Sequence, residues 1–353
     1  MEPYVTVSQE SLLPTPYENA RAMRRTLSWL AAGLSLMLLG WMASLSLLFA
    51  FAGRYMTPTL ELFFNDVCFY GVGFPLFLVC ALRVKPEPGL KRPMRFSRLL
   101  IAFLIGAFFI EAAATATNYI MDTVSELAGY DFADRIQDMS VTTPLWAIFL
   151  FVVIVAPLGE EFIFRRLLCD RLRPFGEWPA ALLSALAFGL FHTNVYQIGY
   201  AFLLGLMLAF VYLKTGRLRY TVVLHAAVNF FFGFLAEVVN RYGNVDRIMD
   251  WLNGGMQGLP EIDWAGLAIY AAYLMLSNAA VVCGLVFLIV HRRRIRWEAG
   301  SRSLTRGQVA LRLVRNPFVW IYLILCVGLM LSDLLAAPFA QALEHLLSQR
   351  PAV

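Results

Sequence analysis

The sequence predicts an all-α polytopic membrane protein with about nine spans. Two observations carry the prediction. Of 353 residues, 59% are hydrophobic and 15% are charged, whereas a soluble domain carries about 25% charged residues. The apolar residues also fall into nine segments, and the loops between them alternate between basic and non-basic, as the positive-inside rule requires.

Residues 1–26 are polar and include Pro14, Pro16 and the basic cluster Arg21, Arg24 and Arg25. A polar lead of this length does not suit a cleaved signal peptide, so it reads as a cytoplasmic N-terminal tail. The apolar segments run over 27–52, 63–82, 99–120, 144–164, 179–192, 198–213, 219–238, 264–290 and 317–337. Judged against the roughly 20 residues needed to cross a bilayer, they make a transmembrane domain over 27–338, followed by a short C-terminal tail over 339–353.

Loop 83–98 is basic (Arg83, Lys85, Lys91, Arg92, Arg95, Arg98), and 121–143 is acidic (Asp122, Glu126, Asp131, Asp134, Asp138). Segment 165–178 is basic again through Arg165, Arg166, Arg171 and Arg173, and 193–197 is uncharged. Lys214, Arg217 and Arg219 mark the next turn; 239–263 is mixed, and 291–316 is strongly basic. The N-terminus is therefore expected in the cytoplasm and, after nine spans, the C-terminus outside, with the cell membrane as the location. Spans five and six are short, and their connection Thr193–Gln197 need not reach the far face. Polar backbone at that depth requires surrounding protein or a water-filled cavity, so spans four to seven are expected to enclose an intramembrane polar site.

The charge pattern contains no nucleic-acid-binding patch, and the five cysteines are scattered without a CxxC pair, which marks them as packing residues. The informative stretch is Pro157–Arg166, where Glu160, Glu161, Arg165 and Arg166 end an apolar run. Each such charge near a helix centre costs about 2.5–3.5 kcal/mol to insert, so intramembrane ionisable residues read as functional and need partners. Of four histidines, His291 and His345 lie in polar surroundings, while His192 and His225 interrupt apolar helices. A single intramembrane histidine is most simply a helix–helix contact, but two in nearby spans beside a Glu-Glu pair point to a shared site.

Residues four apart share a helix face. Glu161 can therefore pair with Arg165, Phe188 can pack beside His192, and His225 can project with Asn229. Glu160 is turned by about 100° from Glu161 and is free to point elsewhere. Counted from Arg219 and Arg173, His225 lies about 9 Å and Glu160 about 20 Å along their helices, which favours a site in the inner half, open to the cytoplasm. Glu111, Asn278 and Asp333 are also intramembrane and polar; Asn278 and Asp333 read as packing or interface groups, and Glu111 as either a cavity-lining or a paired residue.

Glu160-Glu161-x-x-x-Arg165, Phe188-x-x-x-His192 and His225-x-x-x-Asn229 resemble, in order and spacing, the three signature motifs of the CAAX prenyl protease type II family. That family, also called CPBP or Abi, consists of intramembrane endopeptidases, and the resemblance covers roughly 144–238. It implies hydrolysis of a peptide bond in a membrane-anchored peptide or protein, which in eukaryotic members is a prenylated CaaX protein. It further implies that Glu160 acts as general base with His192, and that His225 and Asn229 stabilise the oxyanion. The family is classed with metallopeptidases, yet the HExxH pattern is absent. Glu160, His192 and His225 could ligate Zn²⁺ with water in the fourth position, or could work without metal, the reading preferred. The competing class is a non-catalytic scaffold, immunity-like protein or transporter; a transporter would show paired repeats or broken helices, and none is evident.

Overall fold

A computed structural model describes residues 15–130, 132, 142–243 and 264–348, with the backbone alone for 16 and 336–348. Asp131, Asp134, Asp138, the stretch 244–263 and the His345 side chain lie outside this set.

The first helix, α1, covers Pro16–Ala52. Thr15 caps it: its hydroxyl accepts from Glu18 N at 3.3 Å, and the Glu18 carboxylate accepts from Thr15 N at 2.8 Å. With this capping box and Pro16 at the first position, the helix begins inside the stretch expected to be tail, and Ala20 and Met23 are buried. Next come α2 (Pro58–Ala81) and α3 (Phe96–Ala128). The central elements are α4 (Leu145–Phe175), α5 (Glu177–Phe191), α6 (Val195–Thr215) and α7 (Leu218–Tyr242). Helix α8 (Trp264–His291), the short α9 (Arg306–Val314) and α10 (Pro317–Ser348) complete the described chain.

The chain is an all-helical integral membrane protein, and eight described helices are long and apolar enough to cross a bilayer. The ninth expected span is α5. Its 15 residues reach about 22 Å at 1.5 Å per residue, short of the roughly 30 Å hydrocarbon core. Helix α6 is longer than expected, with 21 residues, because Asn194 caps it by accepting from Tyr196 N and Gln197 N at 2.8 and 3.1 Å. The turn between the two helices places Thr193 at φ 47°, a left-handed conformation that a β-branched residue adopts only where its surroundings enforce it.

A second departure concerns 165–178, expected as a basic loop. Helix α4 instead continues to Phe175, and Arg165, Asp170 and Arg171 on it are internal. Arg165 is fully buried and Arg171 nearly so; Arg171 donates to the carbonyls of Ala81 and Leu167 at 2.7 and 3.1 Å. Asp170 is buried beneath the Tyr212 hydroxyl (3.0 Å) and Arg166 (2.8 Å). Arg165, Arg171 and Asp170 are enclosed and hydrogen-bonded, whereas the Arg166 side chain reaches from Asp170 toward the exterior; these partners offset the penalty of burial.

Two apolar cores flank α6. One gathers α1, α2, α4, α5 and α10 around Phe77, Phe164, Leu168, Phe188 and Tyr212; the other joins α3 and α7 to the opposite side of α6 through Ile110, Leu208 and Leu224. Outward-facing apolar side chains such as Leu47, Phe51, Val79, Leu150 and Met275 are exposed, as a lipid-facing surface requires.

The segment linking α8 to α9 lies across the basic ends of α4, α5 and α6. Glu177 N donates to Glu298 O at 3.0 Å, Glu298 N to the Glu177 carboxylate at 2.9 Å, and Arg302 N to Pro174 O at 2.7 Å. Lys214 bonds Glu177 at 2.5 Å and Glu298 at 3.3 Å, and Trp297 packs edge-on against Trp178 and Phe210. Gly300 presses on the Pro174 carbonyl so closely that a Cβ has no room.

Candidate active site

Four π-helical stretches lie among the described helices, over 69–73, 149–155, 162–169 and 229–234. All of them carry or flank the same polar cluster, in keeping with the association of π-bulges with functional sites. The bulge over 149–155 has a local cause. Ala156 N–H bonds Phe151 O, five residues back. In that register the next donor would be Pro157, which has no N–H, so the Val152 carbonyl is left without its backbone partner. The Asn229 amide fills the gap, with Nδ2 donating to Val152 O at 2.9 Å. Asn229 therefore ties α7 to α4, with one amide N–H and its carbonyl oxygen still available.

One turn on, Glu160 and Glu161 part company. Glu161 is fully buried, with Oε2 3.0 Å from Arg165 Nε and Oε1 3.1 Å from His225 Nδ1. Arg165 is also wholly enclosed: Nη1 donates to Ser184 Oγ at 3.1 Å, Ser184 passes a bond on to Phe164 O at 2.7 Å, and the guanidinium lies 4.9 Å from the Phe188 ring centre. Because a guanidinium does not deprotonate in proteins, Glu161 opposite it is held as carboxylate.

A carboxylate only accepts, so the bond to Glu161 places a proton on His225 Nδ1. His225 Nε2 then faces the second carboxylate, 3.8 Å from Glu160 Oε2. Glu161 thus does more than neutralise Arg165; it also sets which nitrogen of His225 points at Glu160. The same logic applies to His192, whose Nδ1 is 2.8 Å from Phe188 O. A carbonyl can only accept, so Nδ1 carries the hydrogen, and in the neutral ring Nε2 is free to accept. Phe188 packs edge-on against both imidazoles, with centroids at 4.8 Å to His192 and 5.6 Å to His225.

The expected residues therefore gather as one cluster on α4, α5 and α7. Although the depths counted from Arg173 and Arg219 differ, Glu160 and His225 meet at 3.8 Å. Among the described residues no group of three His, Cys, Asp or Glu is placed together as a metal-ligand set. Both Nδ1 atoms are committed to protein acceptors.

Glu111 lies near enough to Tyr273 of α8 to act on it electrostatically. Asn278 is exposed and donates to Leu274 O one turn back at 2.7 Å, so it makes no interhelical contact through that amide. Two participants were not foreseen. Ser184 could have been found, because Ser184, Phe188 and His192 follow at successive i,i+4 positions on α5. Tyr70 could not, since a lone aromatic in an apolar helix carries no signal. Its ring lies directly on Gly159, where a Cβ would overlap the ring carbons and hydroxyl. Gly159→Ala is accordingly expected to push Tyr70 aside at about 1–3 kcal/mol, read as a lowered thermal midpoint; an unchanged midpoint would mean that the ring moves freely.

Residues 142–231 match the family model described as Type II CAAX prenyl endopeptidase Rce1-like. No curated protein and no solved structure matches significantly. The matched stretch contains Glu160, Glu161, Arg165, Ser184, Phe188, His192, His225 and Asn229, and over it the chain is similar to the Type II CAAX prenyl endopeptidases that the model describes.

Proposed function

We propose that the chain hydrolyses a peptide bond of a membrane-anchored peptide or protein, with Glu160 as general base. The observation that carries this reading is the division between the two glutamates: Glu161 is consumed by Arg165 and His225, whereas Glu160 makes no ion pair closer than 3.8 Å. Glu160 takes a proton from water held also by the acceptor Nε2 of His192, and the resulting hydroxide adds to the scissile carbonyl. The proton goes on to the leaving amine, as general acid–base catalysis requires. The free amide N–H of Asn229 is suited to the developing oxyanion. His225 can donate to it through Nε2 only as imidazolium, since Nδ1–H already serves Glu161.

No step here passes through a metal. Exhaustive chelation of purified protein in detergent is expected to leave hydrolysis intact, with no gain from added zinc; loss on chelation and recovery with zinc would sink the metal-independent route. The basic loops support a cytoplasmic N-terminus in the cell membrane, with substrates entering laterally. Substrates are best found by C-terminal peptide mass spectrometry of membranes from cells carrying wild-type or Glu160→Ala protein. Unprocessed forms are expected with the variant; identical membrane proteomes would favour a scaffold.

A further inference from the structure

An apolar groove of about 410 Å³ opens beside the cluster, lined by Tyr70, Phe74, Leu158, Gly159, Phe162 and Val222, among others. Its residues run from the level of Glu160 toward the basic end of the bundle, where α7 begins after Arg217. On the other side of Tyr70, one turn away on the same helix, lies Asp66. Phe63, Asp66 and Tyr70 stand at i, i+3 and i+7, one face of α2. That face meets α4: Phe63 packs against Phe151 at 6.2 Å, and the Tyr70 hydroxyl reaches Val155 O at a long 3.5 Å. Asp66 Oδ2 is buried there without a hydrogen-bond partner. Both Asp66 and Tyr70 are close enough to Glu160 to act on it electrostatically.

A buried carboxylate oxygen without a donor is costly, and a second carboxylate nearby raises that cost. The cation closest to the cluster, Arg165, is already committed to Glu161. This wall therefore presents a buried carboxylate oxygen that lacks a donor, which a positive group could supply. We propose that Asp66 and Tyr70 form a substrate-positioning subsite for a lysine or arginine side chain lying one to a few residues from the scissile bond, on the side away from the apolar groove. Asp66 accepts from the cation, and Tyr70 donates its weakly used O–H to a neighbouring peptide carbonyl. The proposal rests on the peptidase reading for the position of the scissile bond. It adds a selectivity that the matched segment 142–231 does not contain, since both residues lie outside it.

The test is a set of quenched fluorescent peptides in which Lys, Gln or Glu is walked across the cleaved bond, assayed with the full chain in lipid nanodiscs. Wild-type protein is expected to prefer Lys over Glu about tenfold at one or two positions on one side only. Asp66→Asn is expected to abolish that ratio, Asp66→Glu to restore it, and Tyr70→Phe to raise KM with little change in kcat. Equal use of Lys and Glu by wild-type protein at every position, or an unchanged ratio in Asp66→Asn, overturns the subsite. Should Asp66→Asn fail to fold, the wild-type series and Asp66→Glu still decide. Binding of the same peptides to Glu160→Gln protein separates the two readings. A charge ranking in binding without cleavage by wild type refutes the peptidase and keeps the subsite; cleavage without any charge ranking does the reverse.

Discussion

Glu160→Gln is expected to lower the rate of peptide hydrolysis roughly 10³-fold while leaving the protein folded. Glutamine preserves the volume and one acceptor oxygen, so packing against α2 and α7 changes little. What disappears is the only carboxylate of the cluster not paired at hydrogen-bond distance, its nearest ionic contact being His225 at 3.8 Å. Kinetics of wild-type and variant protein in the same nanodiscs, with matched elution profiles as the folding control, provide the check. Hydrolysis within tenfold of wild type would mean that another group activates the water.

The largest effect on stability is expected at Arg165. Arg165→Leu leaves Glu161 fully buried and without its 3.0 Å partner, and breaking a buried pair in this way costs about 3–5 kcal/mol. Against a typical total of 5–15 kcal/mol, a sharp loss of monodisperse protein after extraction should follow. The double variant Glu161→Leu with Arg165→Leu is expected to regain most of that yield, because well-packed apolar residues often replace a buried pair without loss. It should remain inactive, since His225 Nδ1 then has no acceptor to fix the ring. A single variant as stable as wild type would show that the pair contributes little; an active double variant would show that His225 does not need Glu161.

Most of the cluster was legible because its members obey one rule, spacing by four on apolar helices. The pairs Glu161–Arg165 and Phe188–His192 meet in space as that rule requires. What the rule could not supply was context. An arginine buried against Glu161 and one on a cytoplasmic loop are the same letter, so α4 was ended at residue 164 when it runs on to Phe175. Asp66 and Tyr70 also stand four apart, but the groove that gives them meaning is built from α2, α4 and α7 together. The His225–Glu161 bond joins residues 64 positions apart, and no local pattern encodes it. The half-length of α5 was visible as a short apolar run, whereas the extension of α6 depended on the Asn194 cap.

The strap that crosses the basic end of the bundle also imposes a schedule. Glu177 receives the Glu298 N–H from a residue 121 positions later in the chain. At 5–20 residues per second of synthesis, roughly 6–24 s separate the two. Throughout that interval the buried carboxylate at the start of α5 lacks this donor, and the basic ends of α4 and α5 stay uncovered. The nascent chain therefore closes this end of the bundle only after the segment following α8 has been made.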